Sequence, residues 1–362
     1  MALPPVAADT LVAVSVSIIP APETSASFGT PCVLAPDTLD GARYMRFGGA
    51  GAADAIAAAL TATYISASTA AMLTAMISQD QVPEYVAVIR YTSPEVPSDG
   101  LEAAIGEGLD VGIFLLNSVT EATINTLATW LSASAARKAR YMMVFQTADS
   151  SAYGGTRPSA LAGCEQLGVI GFYSADDAYL AAAWAGKASG RVLVGQQDAG
   201  PVALQARILT VTPTTGLTAA NIAALAANSF AVLQPSDHGA GATSRIVVGT
   251  KAYDGVTDAS SAVSLVYAGR QSRAAALGVW MRHAISGIAF KANASGQAEA
   301  EAAIYAVIKP MADAGHFTPV DAAPLGFTIT SSIVNSRVVV RVVPYLAGEA
   351  RGFDVPIVGE EV

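Results

Sequence analysis

The sequence predicts an α/β domain with a mainly parallel sheet, inserted into an α+β domain whose two ends extend as strand arms. Three observations carry this. Between residues 28 and 185 short apolar strands alternate with helical stretches, the rhythm of a parallel sheet covered by helices. After residue 270 the pattern changes to two long helices followed by strands. Third, both ends alternate with period two. Val12, Val14, Val16 and Ile18 share one side of the stretch 11–19. Val338, Val340 and Val342 share one side of 337–343, with Arg337, Val339, Arg341 and Val343 on the other. Phe353, Val355 and Ile357 repeat the pattern after a bend at Gly348. Strands at both ends of a chain expose unpaired backbone donors and acceptors, so each must join a sheet of its own subunit or of a neighbour.

In order along the chain, the first strand, 11–19, is followed by a linker, 20–27, whose Pro20 and Pro22 cannot sit in a central strand. Strands are then predicted at 33–35, 85–90, 111–116, 141–145 and 169–173, and helices at 52–60, 68–78, 121–135, 160–167 and 177–185. Residues 216–227 read as a helix capped by Thr218, and 230–234 and 245–248 as strands. A helix over 272–288 stacks Leu277, Trp280, Ala284 and Ile288 on one face, and a second over 297–314 turns Ile304, Ile308 and Met311 inward and stops at Gly315. Strands at 327–330 and 337–343 finish the pattern. A chain of 362 residues exceeds what one core usually serves. The expected division is an arm at 1–22, an outer α/β domain at 23–205, an inner α+β domain at 206–345 and a second arm at 346–362.

A formal net charge of -9 without a basic cluster argues against binding a nucleic-acid backbone. Charged residues make up 14% of the chain, against about 25% in an ordinary soluble domain, and hydrophobic residues 52%. So few charges leave little to cover a free surface, which points to extensive burial against other subunits. The uncharged run 55–79 is long enough to span a bilayer, but its Ser and Thr content and its reliance on Ala predict two short buried helices and no membrane insertion. Cys32 and Cys164 form neither a disulfide framework nor a metal site.

Candidate chemistry is sparse. Gly49-Ala50-Gly51 ahead of a helix resembles the start of a dinucleotide loop, but Asp54 stands where the third glycine belongs and would repel a pyrophosphate. Gly154-Gly155 lacks the Lys and Ser or Thr of a phosphate-cradling loop. The three histidines, at 238, 283 and 316, have no His or Cys at ligand spacing. His283 reads as a hydrogen-bonded structural histidine, and His238 could pair with Asp237 as an acid/base couple, although no Gly-x-Ser-x-Gly elbow supplies a nucleophile. Asp176 and Asp177 at a helix start read as caps rather than cation ligands.

The order VSVSI…SFGTPCVLA (14–35), YISASTAAMLTAMISQDQVPEYVAVIR (64–90) and VGIFLLNSVTEATINTLATWLSASAARKARYMMVFQT (111–147) resembles that of the contractile tail sheath proteins of phages, and the resemblance covers nearly the whole chain. Phe28, Gly29 and Pro31 fit the turn after the N-terminal arm of that family, and Ser78, Gln79, Pro83 and Arg90 fit its helix–Ser-Gln–Pro–strand segment. RILTVTPTTGLTAANIAAL (207–225) resembles the return to the inner domain, and FKANASGQAEAEAAIYAVIKPMADAGHFTPVD (290–321) carries the matching Lys291, Gly296 and Gly315. The chain departs from longer members in lacking extra outer domains and in its 249–255 loop, GTKAYDG.

The resemblance implies a structural subunit with no enzymatic activity and no cofactor or metal. Such subunits stack as six-fold rings around a tail tube, exchange terminal strands, and contract from a high-energy extended state to drive the tube through a cell envelope. The implied partners are other copies of the chain, the tail tube protein, and the baseplate and tail terminator proteins; the implied location is the phage tail of the virion, after assembly in the host cytoplasm. On this basis Val12, Val14, Val16, Ile18, Val338, Val340, Val342, Phe353, Val355 and Ile357 are the expected strand-exchange residues. Glu299, Glu301 and Asp313 are the expected tube-facing acids on the outward face of the 297–314 helix. A nucleotide- or sugar-utilising α/β enzyme, which would need a convergent polar pocket at the C-terminal ends of its parallel strands, and another self-assembling shell protein are the alternatives.

Overall fold

The computed structural model describes residues 29–36, 43–79, 83–92, 94–117, 119–133, 140–150, 152, 169–194, 197–201, 209–228, 230–238, 242–248, 259–335 and 337–345. The expected strands 11–19 and 353–358, the linker 20–27 and the helix 160–167 lie outside these residues, and with them Val12, Val14, Val16, Ile18, Phe353, Val355 and Ile357.

In chain order the strands are β1 (Thr30–Ala35), β2 (Tyr44–Gly48), β3 (Tyr85–Arg90), β4 (Val111–Leu116), β5 (Met142–Thr147), β6 (Val169–Tyr173), β7 (Arg191–Val194), β8 (Gln197–Pro201), β9 (Phe230–His238), β10 (Ala242–Val248), β11 (Phe327–Val334) and β12 (Arg337–Pro344). The helices are α1 (Ala52–Thr61), α2 (Ala67–Ile77), α3 (Pro97–Gly106), α4 (Glu121–Ser132), α5 (Leu180–Ala188), α6 (Ala219–Ala227), α7 (Ala259–Ser286) and α8 (Ala294–Asp313).

Eight strands form one sheet in the order β10-β9-β6-β5-β4-β1-β3-β2. All its neighbours pair parallel except the two edge strands, β2 and β10, which pair antiparallel. The central strands β1 and β4 are buried at every position, because helices cover both faces of a parallel sheet. One face packs Leu101, Leu127 and Leu225 of α3, α4 and α6 against Leu34, Phe114 and Phe145. The other packs Ile56, Leu73 and Trp184 of α1, α2 and α5, and its core continues without a break through Val266 of α7 and Ile304 and Ile308 of α8 to Phe327 of β11.

Local chemistry sets the helix ends. Ser66 Oγ accepts from Thr69 N at the start of α2, Thr120 and Thr123 cap α4 reciprocally, Thr218 Oγ1 accepts from Asn221 N, and Asn293 Oδ1 accepts from Gly296 N at the start of α8. Gly315, at φ 86°, ends α8 where the sequence placed its stop.

Four expectations need correction. The strands after residue 230, assigned to an inner domain beginning at 206, belong to the large sheet, because β9 pairs parallel with β6. The strand expected at 230–234 runs on to His238, whose backbone closes β9 opposite Ala242. The helix expected at 272–288 begins thirteen residues earlier and ends two earlier. An unexpected strand, β2, forms the sheet edge ahead of the Gly49–Gly51 turn, and an unexpected helix, α3, occupies the sequence between β3 and β4.

Helices α2 and α5 cross with almost no separation at Gly186. A Cβ there would lie 2.2 Å from the Met76 carbonyl oxygen and 2.5 Å from its Cα. Alanine is favoured over glycine inside a helix by about 1 kcal/mol, but forcing two packed backbones apart costs about 3 kcal/mol or more. The clash wins. Gly186→Ala is therefore expected to destabilise the fold by about 2 kcal/mol, lowering Tm by roughly 3 °C in a thermal melt followed by circular dichroism; an unchanged or raised Tm would show that the crossing yields.

Candidate assembly surface

The chain ends its described part in a two-stranded hairpin that stands apart from the large sheet. β11 and β12 pair antiparallel over their full length, Phe327 opposite Pro344 through Val334 opposite Arg337. Two residues join them, the first being Asn335 at φ 50°, a conformation that asparagine tolerates and tight hairpin turns require. Phe327 sits in the core with Tyr305 and Phe317 rings at 5.8 and 6.3 Å. Ile329, Val340 and Val342 pack behind it, and Gln297 of α8 donates to Ser331 Oγ at 3.2 Å. One face of the hairpin, which includes the expected residues Val338, Val340 and Val342, thus lies towards α8.

The ladder's phase fixes which backbone groups point outward. Tyr345 N donates to Gly326 O at 2.8 Å, marking that pair as hydrogen-bonded. Alternation then assigns Thr328–Val343, Thr330–Arg341, Ser332–Val339 and Val334–Arg337 to the bonded set. The amides and carbonyls of Val338, Val340 and Val342 consequently point away from β11, and those of Phe327, Ile329, Ser331 and Ile333 away from β12. Among the described residues neither strand has a second neighbour. Apolar side chains cluster towards the tip, with Ile333 43%, Val334 49% and Val339 45% exposed.

Helix α7 ties this unit to the large sheet. Arg270, nearly buried, donates to Val111 O at 2.7 Å and Arg140 O at 2.9 Å and bonds Asp110 Oδ1 at 2.5 Å, at the ends where β4 and β5 begin. Gly29 admits it, since a Cβ there would lie 2.7 Å from the guanidinium. Burial and the nearby Arg140 bring the Arg273 guanidinium down to about 10. At its far end α7 is pinned to α8, where His283 Nε2 donates to Glu299 at 2.7 Å and Arg282 stands 3.6 Å from the same carboxylate. The His283 bond holds the Glu299 carboxyl below the usual carboxylate range.

The three expected tube-facing acids do not share a face. Around α8 the buried residues are Gly296, Ala300, Ile304, Ile308 and Met311. Glu299 and Glu301 lie about 200° apart on that helix, on either flank of the buried stripe. Glu299 is engaged with α7, and Asp313, on the exposed face, is paired with Lys309 one turn earlier. Ala298, Ala302 and Ala306 make up most of that face. Periodicity held this information, and the number of acids on the helix obscured it.

The alternative enzymatic site would lie where the parallel strands end, and a cavity of about 550 Å³ does open beyond β4, β5 and β6. Its polar side chains hold loops together. Asn117 Nδ2 donates to Thr69 Oγ1 at 2.7 Å, while Ser68 Oγ donates to Asn117 Oδ1 at 2.9 Å. Asp177 accepts from Tyr179 N and Thr212 N, Asp176 accepts from Thr215 N, and the Gln146 amide bridges Asp177 O and Ala181 N. The two aspartates therefore act as loop ties, one of them capping the approach to α5.

No family model and no curated protein matches the sequence. Solved structures do. A chain of the anti-feeding prophage baseplate, determined with six-fold symmetry, matches with a TM-score of 0.63 and 14% identity, over 96% of this chain and 99% of that one. The fold is that of contractile tail sheath proteins. A chain of the anti-feeding prophage helical sheath in its contracted state matches at 0.62 and 12%, with the same coverage. A sheath tail protein from Listeria innocua matches at 0.51 and 9%, over 87% of this chain and 95% of that one. The sheath fold thus spans nearly the full length of the chain.

Proposed function

We propose that this protein is the structural subunit of a contractile tail sheath, working by polymerisation and not by catalysis. The observation that carries the reading is a near-full-length sheath fold with a hairpin that has no further strand beside it among the described residues, in a chain whose two terminal segments alternate like strands. Subunits stack as six-fold rings around a tail tube, with a baseplate at one end and a terminator at the other, in the phage tail of a virion assembled in the host cytoplasm. Residues 1–22 and 346–362 serve as arms that reach neighbouring subunits, and Val12, Val14, Val16, Ile18, Phe353, Val355 and Ile357 fill the edges beside Val338, Val340 and Val342. The outward face of α8, with Ala298, Ala302, Ala306 and Asp313, turns to the tube, and Glu301 flanks it. Small side chains there give short-range contacts that release when rings move.

Negative-stain images of the purified protein at high concentration, or of native particles, test this. Hollow cylinders of six-fold rings with α8 at the inner wall are expected. A monodisperse monomer at every concentration would overturn it.

A further inference from the structure

We propose that the end of the hairpin unit where α7 turns into α8 docks on the exposed face of α1 in a second copy, an apolar and basic surface meeting an apolar and acidic one. This rests on the polymerising role proposed above and names one contact that serves it.

Two contacts set the hairpin alongside α8: the Tyr305 and Phe327 rings at 5.8 Å and the bond from Gln297 to Ser331. Val334, three residues further on, therefore lies about 10 Å beyond Gln297, level with the connection 287–293 that precedes α8. The His283 and Phe290 rings, 5.4 Å apart, and the Asn293 cap hold that connection in place. Apolar side chains gather at this tip. Ile285 is 82% exposed and Ile288 61%, the two highest values among the exposed large hydrophobic residues described, and Val334 is exposed as well. Lys291 lies in the connection and Arg337 opposite Val334, while residues 284–298 and 331–345 contain no Asp or Glu.

The opposite chemistry lies on α1. Ala53, Ala57 and Leu60 share one exposed face of that helix, and Tyr64, just past its end, is exposed too. Asp54 flanks this face in the first turn. Glu84 comes close to the start of the helix, since a Cβ on Gly48 would lie 2.6 Å from the Glu84 carbonyl oxygen. Residues 47–89 contain no Lys or Arg. Among the described residues none of Lys291, Arg337, Asp54 and Glu84 makes an ion pair.

Both surfaces are open in the same subunit, so their contact is between copies. Like charges disfavour tip against tip and α1 against α1. What remains is a heterologous pairing, which builds rings or helical arrays and not isologous dimers. The small side chains of Ala53 and Ala57 give Ile285 and Ile288 a shallow seat between Leu60 and the acids. A patch of this size makes a weak contact, and repetition along a lattice supplies the strength that one copy lacks.

Two charge variants test the pairing by sedimentation velocity, with circular dichroism reporting the fold. Lys291→Glu/Arg337→Glu makes the tip acidic, and Asp54→Lys/Glu84→Lys makes the α1 face basic. Each alone is expected to need at least about tenfold more protein than the parent to self-associate, and an equimolar mixture to return to within about threefold of the parent, because each supplies the surface the other has lost. Parent-like association of either charge variant, or impairment that mixing does not relieve, would overturn the pairing. Ile288→Ser and Leu60→Ser change no charge and should each weaken association, so they carry the test if a charge variant fails to fold; parent-like association of both would overturn it equally. A parent that stays monomeric at every concentration would overturn the polymerising role, and this contact with it.

Discussion

Removal of residues 1–20 is expected to leave a folded, soluble subunit that no longer forms tubes. Every described strand and helix begins at Thr30 or later, and both faces of the large sheet are covered by α1 to α8. The core of the described residues is continuous without the N-terminal segment. What is lost is a segment whose sequence alternates like a strand, with four aliphatic side chains at every second position, Val12, Val14, Val16 and Ile18. Each backbone bond nets about 1 kcal/mol and each buried aliphatic side chain about 2 kcal/mol, offset by about 1 kcal/mol or more for each residue ordered. A surplus of a few kcal/mol per strand remains, so assembly should require at least about a hundredfold more protein. Circular dichroism and size-exclusion chromatography report the fold, and electron micrographs the tubes. An unfolded truncated chain would mean that the segment completes its own subunit, and surviving tubes would mean that it is not the bond between them.

Replacing Arg270 by Met is expected to destabilise the subunit by about 2–4 kcal/mol. The guanidinium satisfies two backbone carbonyls and Asp110, and its side chain is only 10% exposed, so methionine fills the space while leaving the carbonyls without their donor. Lysine should recover part of the loss, since it keeps the charge but cannot reach three acceptors in one plane. Urea midpoints read the difference. An Arg270→Met midpoint equal to that of the parent would show that packing around α7, and not this clamp, joins the hairpin unit to the sheet.

Elements whose burial differs from one side to the other were legible in the sequence. β12 shows its alternation because one face rests on α8, and β3, β4 and β6 show as apolar runs because both faces are covered. The first half of α7 was not legible, because Ser264, Val266, Tyr267 and Ala268 are all buried and a helix enclosed on all sides loses the polar face that gives it a period. α3 was hidden by Pro97-Ser98-Asp99-Gly100, which reads as a turn. In the fold Pro97 starts the helix, and Gly100 lets it lie against Tyr91, where a Cβ would come within 2.9 Å. At the assembly surface, the valine row was visible and the clamp was not. Arg270 finds its partners 130 to 160 residues away in the chain, a juxtaposition that no local pattern encodes.

The long helix α7 has a mechanical consequence. From Arg270, fixed under the sheet, to Ser286, beside the pin onto α8, it runs about 24 Å. A tilt of about 12° at the clamped end swings the other by about 5 Å, roughly the spacing between neighbouring strands. Because α8 and the hairpin share the core that α7 joins, such a swing carries the receiving edge and any strand seated on it as one piece. In the proposed lattice each subunit would then act as a stiff lever, so that angles between subunits change while paired strands keep their register.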